Sequence, residues 1–108
     1  MNGVVIPVPF HTDMPEAKDF VANMQKMFGV NPTWRTFASL DAMNAILVDS
    51  HVDTTRQEIQ AKLQDKNFQV AGSTEAVRFL PNGDRIGRGV LVQIKPQAKG
   101  YRFAMMTP

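Results

Sequence analysis

The spacing of apolar residues changes character once along this chain, at Asn67, and that change limits the folds open to it. Before Asn67, apolar side chains recur mostly at three- and four-residue intervals, the period of helices buried along a face. After it come short β-branched or aromatic runs separated by Pro, Gly, Asn and Asp, the texture of strands and tight turns. A chain of 108 residues is about one small domain, so both textures share one fold. It is neither an all-α bundle nor a closed all-β barrel.

The pieces read as follows. Gly3-Val4-Val5-Ile6-Pro7-Val8-Pro9-Phe10 is a continuous apolar run, which suits a strand buried on both faces as in a parallel sheet. Pro7 lacks a ladder donor and predicts that part of this strand lies at an edge or at a crossing between substructures. Asp13, Pro15 and Glu16 read as a helix start with Asp13 as cap. Ala17, Phe20, Val21, Met24, Met27 and Phe28 then form one apolar stripe, and Gly29 is the expected left-handed stop. The next helix carries Ala38, Leu40, Ala42, Met43, Ala45, Ile46 and Leu47 over more than one face, so deep burial is expected. A third helix opens at Asp53-Thr54-Thr55, with Ile59 and Leu63 on an otherwise polar, outward surface. Phe68–Gly72 reads as a short extended piece. Strands follow at Ala76–Leu80, Arg88–Lys95 and Tyr101–Met106, with turns at Pro81-Asn82-Gly83-Asp84 and Pro96–Gly100. The expected fold is α/β, in the order β-α-α-α-β-β-β, over residues 1–108 as one domain.

Composition removes several functions. There is no cysteine, hence no disulfide, thiolate chemistry or cysteine metal site. The net charge of +2 comes from scattered Lys and Arg, without the concentrated basic face and stacking aromatics of a nucleic-acid binder. No run approaches the ~20 apolar residues of a membrane helix. Met1-Asn2-Gly3 leads into the first strand without a basic segment or cleavage site, so a secretory signal is expected upstream, if the parent protein is exported. His11 and His51 lie far apart with no ligand pattern between them, so no metal or other cofactor is expected. Gly87-Arg88-Gly89 lacks the strand-to-helix setting of a phosphate loop. Ser39 and Ser50 lack a nucleophile-elbow context, and caps and turns account for most of the carboxylates. No catalysis is expected. Asp41 stands apart, because it falls within an apolar helix: it is either a group near a pocket or a carboxylate paired inside the fold.

Four features, in order, carry a family resemblance. They are the strand Gly3–Pro9 leading into a helix with Phe20 and Phe28-Gly29; Leu40-Asp41-Ala42 opening the apolar helix; the helix Arg56–Leu63 followed by Phe68 and Gly72; and Val77-Arg78-Phe79 with Pro81-Asn82-Gly83-Asp84 before the strand Val90–Lys95. This order resembles the final third of type I periplasmic solute-binding proteins of the branched-chain amino acid (Leu/Ile/Val) class. That family usually writes Tyr-Asp-Ala where this chain has Leu40-Asp41-Ala42.

The resemblance implies a partial, Rossmann-like lobe: the C-terminal part of the second lobe of a two-lobed binding protein. It implies a subunit of an ABC-type uptake system, periplasmic or extracellular, with a small solute and a membrane permease as partners. Most groups that hold the solute's α-carboxylate and α-ammonium would come from segments outside this chain. Trp34, Arg35 and Phe37 correspond to a region that faces the cleft: Trp and Phe as an apolar wall, Arg35 as partner to a carboxylate. The plainer account of these three is a staple at a helix start plus a surface Arg. Phe10 and His11 are further ligand candidates, because they end the first strand where α/β sheets present ligand groups. Isolated from its neighbours, the segment is expected to form a homo-oligomer. The alternatives are a ligand-sensing receptor ectodomain and a self-associating α/β interaction module.

Overall fold

A computed structural model describes residues 1–106. The chain divides into two compact units, one from Met1–Trp34 together with the chain from Arg88 onward, the other from Arg35–Gly87.

The first unit is built on a three-stranded sheet of β1 (Val5–Val8), β2 (Val90–Pro96) and β3 (Tyr101–Met105), in the order β1-β2-β3. Both pairings are antiparallel, with Ile6 opposite Val92 and Ile94 opposite Phe103. The expectation of a parallel strand buried on both faces is therefore corrected. β1 is an edge strand whose residues alternate between exposed and half-buried. A continuous β-branched run reports low polarity, not strand direction. The register explains how Pro7 is tolerated. Ile94 donates its N–H to Val4 and Leu91 accepts from Met106, so the polar groups of Leu91 face β3. Pro7 sits opposite Leu91, and its missing N–H falls on the open edge, where no ladder bond is lost.

Val92 and Ile94 are buried, and Phe10, Ala17 and Ala104 complete this unit's apolar interior. A 3₁₀ turn, Pro15–Ala17, runs into α1 (Lys18–Phe28), which stops at Gly29 in the left-handed conformation (φ 66°). That stop is where the sequence places it. Asp13 does not cap: Met14 holds the cap position with no side-chain bond, and the Asp13 N–H is directed to His11. The helical stripe is half-buried at Phe20, Val21 and Met24, but Met27 and Phe28 are exposed.

The second unit contains α2 (Trp34–Leu47), whose first residue groups with the first unit, and α3 (Arg56–Gln64). α2 buries Phe37, Asp41 and Ala45, which recur every four residues and so lie on one face. Leu40, Met43, Ile46 and Leu47 are exposed. Deep burial on all sides is thus not found: the helix is apolar around its circumference, but only one face is covered. Asp49, with φ 57°, turns the chain after α2, and the Lys62 ammonium donates to the Val48 carbonyl. α3 begins at Thr55, whose side chain accepts from Glu58 N–H while Glu58 accepts from Thr55 N–H, a reciprocal capping box. The strand expected at Ala76–Leu80 is reduced to two bridges, Val70–Val77 and Phe79–Arg85. The second flanks the turn at Pro81-Asn82-Gly83, closed by Gly83 N–H on Leu80 and Leu80 N–H on Asp84. Gly83 has φ 93°, the positive value that a type I turn followed by a bulge requires. Among the described residues no helix is long and apolar enough to cross a membrane.

Candidate functional site

In the first unit, Phe10 is buried and His11 is half-buried just beyond β1. The Nδ1 of His11 accepts from the Asp13 N–H at 3.1 Å, with the Asp13 carboxylate 3.7 Å away. Its Nε2 lies 3.1 Å from the Phe103 carbonyl oxygen. Because Nδ1 accepts, the proton belongs on Nε2, which donates to Phe103. Phe103 lies opposite Ile94, whose own bonds run to β1, so this carbonyl points to the open edge of β3. His11 therefore covers one exposed acceptor of an edge strand. Trp34 is 46% exposed.

In the second unit, Arg35 is exposed and Phe37 is fully buried. Phe10, His11 and Trp34 thus belong to one unit and Arg35 and Phe37 to the other. Of the five, Trp34 and Arg35 are each exposed, whereas Phe37 is buried on the covered face of α2.

The polar centre of the second unit is Asp41, 2% exposed. One carboxylate oxygen accepts from the Arg85 guanidinium at 2.5 Å, the other from the Ser73 N–H at 2.6 Å. The sequence singles out Asp41 as a charge inside an apolar helix, and the structure takes the internal option: a buried carboxylate satisfied by a cation and a backbone donor. Gly72 makes room for it, since a Cβ there would stand 3.2 Å from the Asp41 oxygen and 2.3 Å from the Glu75 carbonyl.

A groove of about 390 Å³ opens in the same unit between α3 and the hairpin. Ile59, Leu63, Phe79, Leu80 and Pro81 make it apolar, and Arg56, Gln60, Gln64 and Asn82 supply its polar groups. Sequence reasoning missed it. The signal was Ile59 and Leu63 on α3 facing the same way, with Phe79-Leu80-Pro81 running into a tight turn.

No protein-family profile and no curated protein matches the sequence. Solved structures do. An ABC transporter substrate-binding protein from Desulfitobacterium hafniense is 26% identical, with a TM-score of 0.72 over 97% of this chain and 31% of its own. A structure of an ABC transporter substrate-binding protein from the same organism, in complex with Leu, is 24% identical, with a TM-score of 0.70 over 94% of this chain and 31% of its own. A leucine-binding protein from Thermotoga maritima is 23% identical, with a TM-score of 0.62 over 99% of this chain and 31% of its own. The chain spans about 31% of the length of these structures. It therefore has the α/β fold of a partial lobe of the ABC-transporter substrate-binding proteins, the group that includes leucine-binding members.

Proposed function

We propose that this chain is the C-terminal part of the second lobe of a substrate-binding component of an ABC-type uptake system for branched-chain amino acids or related small polar solutes. The observation that carries the reading is the match over 94% of this chain to a binding protein solved with Leu. In this reading the intact protein works in the periplasm or outside the cell. Its two lobes close on the solute, and the closed form is offered to a membrane permease. The chain does no chemistry of its own. Trp34 and Arg35 contribute as exposed residues of α2, and Phe37 as a buried one. Phe10 and His11 contribute from the end of β1. The remaining contacts to the solute's ammonium and carboxylate come from the rest of the fold.

The test is calorimetry with leucine, isoleucine and valine. The chain alone gives no heat of binding. Co-expressed with a substrate-binding fold trimmed of its matching third, it restores leucine binding, and Trp34→Ala weakens what is restored. Tight binding by the lone chain overturns the half-site reading. A reconstituted pair that folds together but ignores all three amino acids overturns the assignment of solute.

Self-association is a second property supported by a specific observation. Leu40, Met43 and Leu47 are 38%, 52% and 59% exposed along one side of α2, an apolar stripe of the kind that marks an interface. Light scattering of the chain alone is expected to give a mass above 12.1 kDa, falling toward the monomer in Met43→Lys. A monomer at low micromolar concentration would sink this reading.

A further inference from the structure

We propose that Asn82 is a site of spontaneous covalent modification, converting through a succinimide to aspartate and isoaspartate. The chain contains the pair Asn-Gly twice, at Asn2-Gly3 and at Asn82-Gly83. Glycine, with no Cβ, leaves its backbone nitrogen open to approach. In the first step the Gly83 nitrogen attacks Cγ of Asn82. The new C–N bond closes the succinimide, the Cγ–Nδ2 bond breaks, and Nδ2 departs as ammonia with the proton the glycine nitrogen gives up. Water then adds at either ring carbonyl: opening on one side yields aspartate, on the other isoaspartate. Water is the sole co-reactant, and no oxidant or reductant is needed.

The two sites share a sequence pair but differ in structure. Asn82 is exposed at the tip of the hairpin. Its Oδ1 accepts from the Asp84 N–H at 3.0 Å, a bond that folds the side chain back over the intervening Gly83 nitrogen. Its Nδ2 donates to the Asp84 carboxylate at 3.0 Å, which fixes the side-chain amide from both of its ends. The Gly83 N–H itself donates to Leu80 at 2.9 Å. That bond has to open first, and it belongs to a solvent-exposed turn, the kind of segment that opens locally. At the other site the Gly3 N–H donates to Ile94 of β2 at 2.8 Å, and the Val4 N–H goes to Met1 rather than to the asparagine side chain. Asn2 therefore lacks the folded-back arrangement, and freeing its glycine nitrogen loosens the end of the sheet. The remaining asparagines are followed by larger residues, and Asn31 by Pro32, which has no N–H to lose.

The product changes its surroundings. A carboxylate at position 82 replaces the bond to Asp84 with repulsion between like charges, and isoaspartate adds a methylene to the main chain of the turn. Asn82 and Gly83 both line the groove against α3, so the groove of an aged molecule differs from that of a fresh one.

The experiment ages the folded chain in warm, mildly alkaline buffer and follows each asparagine by peptide mapping with mass spectrometry, alongside the same chain in urea. In urea only the shared Asn-Gly pair acts, and the rate ratio of Asn82 to Asn2 reports local sequence. In the folded chain the ratio is expected to rise at least about fivefold above that value, equivalent to ~1 kcal/mol. Asn82→Gln is expected to abolish conversion at position 82 and leave Asn2 unchanged. A folded-state ratio equal to or below the urea value overturns the proposal, as does a folded chain in which Asn82 stays intact while the unfolded chain converts.

Discussion

In the first unit the backbone carries the order. β2 lies between two antiparallel partners, its buried Val92 and Ile94 packing on one face while its N–H and C=O groups are satisfied on either side. The second unit has no such ladder. Isolated bridges at Val70–Val77 and Phe79–Arg85 stand in for one, and its buried centre is a charge, Asp41, held by Arg85 and the Ser73 N–H. The contrast teaches that a short, turn-rich segment can be organised by one well-satisfied polar node where strand pairing is sparse. The two solutions fail differently. A ladder spreads its bonds over many residues, so losing one side chain removes mainly packing. A buried ion pair concentrates its effect, because losing one partner strands the other.

The largest effect is therefore expected from Arg85→Met. It leaves Asp41 buried without its cation and should destabilise the second unit by about 3–5 kcal/mol. Native-state hydrogen exchange at the Val70 and Val77 amides reads it, since both bond across the bridge beside the node. Pairing the change with Asp41→Leu should recover most of the loss. If the single and double variants behave alike, the ion pair is not what organises this unit. Next comes Ile94→Ala, expected to cost about 2–5 kcal/mol through lost packing and the cavity left behind. It should speed exchange at Gly3 and Ile94, and an equal response at Val70 and Val77 would break the comparison between units.

Gly72→Ala sharpens the picture of the node itself. The added Cβ meets the Glu75 carbonyl at 2.3 Å, so a loss of about 1–3 kcal/mol is expected from overpacking, visible as a lower denaturant midpoint. An unchanged midpoint would mean that the loop around Asp41 is looser than its hydrogen bonds imply. The smallest effect is expected at His11→Ala, roughly 0.5 kcal/mol, because its bond to Phe103 is exposed to competing water. Its more telling readout is aggregation on storage: uncovering that edge acceptor should raise it, whereas the same rate in both proteins would show that His11 does not protect the edge.

Much of the architecture was legible because its signals are local. The stop at Gly29, the hairpin at Pro81-Asn82-Gly83 and the start of α3 near Thr55 each depend on a few adjacent residues whose backbone preferences suffice. The errors share a different origin. Asp13 looked like a cap, but a 3₁₀ turn begins at Pro15 and the Asp13 N–H is engaged by His11. The apolar girth of α2 looked like complete burial, yet which face of a helix is covered depends on what else is present. Of the candidate site, Trp34 and Arg35 were identifiable as an aromatic and cationic pair, while the groove beside α3 depends on two segments about twenty residues apart coming together.

Asp41 shows where that boundary lies. By itself the sequence determined that a carboxylate would sit in an apolar helix, that an α/β unit would form, and that its pieces would follow in the order of a substrate-binding lobe. Only the tertiary structure decided that Asp41 pairs with Arg85 and Ser73, at separations of 44 and 32 residues, and that β1 runs antiparallel to β2. The reason is physical. Periodicity and turn chemistry act between neighbours along the chain, whereas strand direction and the partner of a buried charge are settled by which distant surfaces exclude water together.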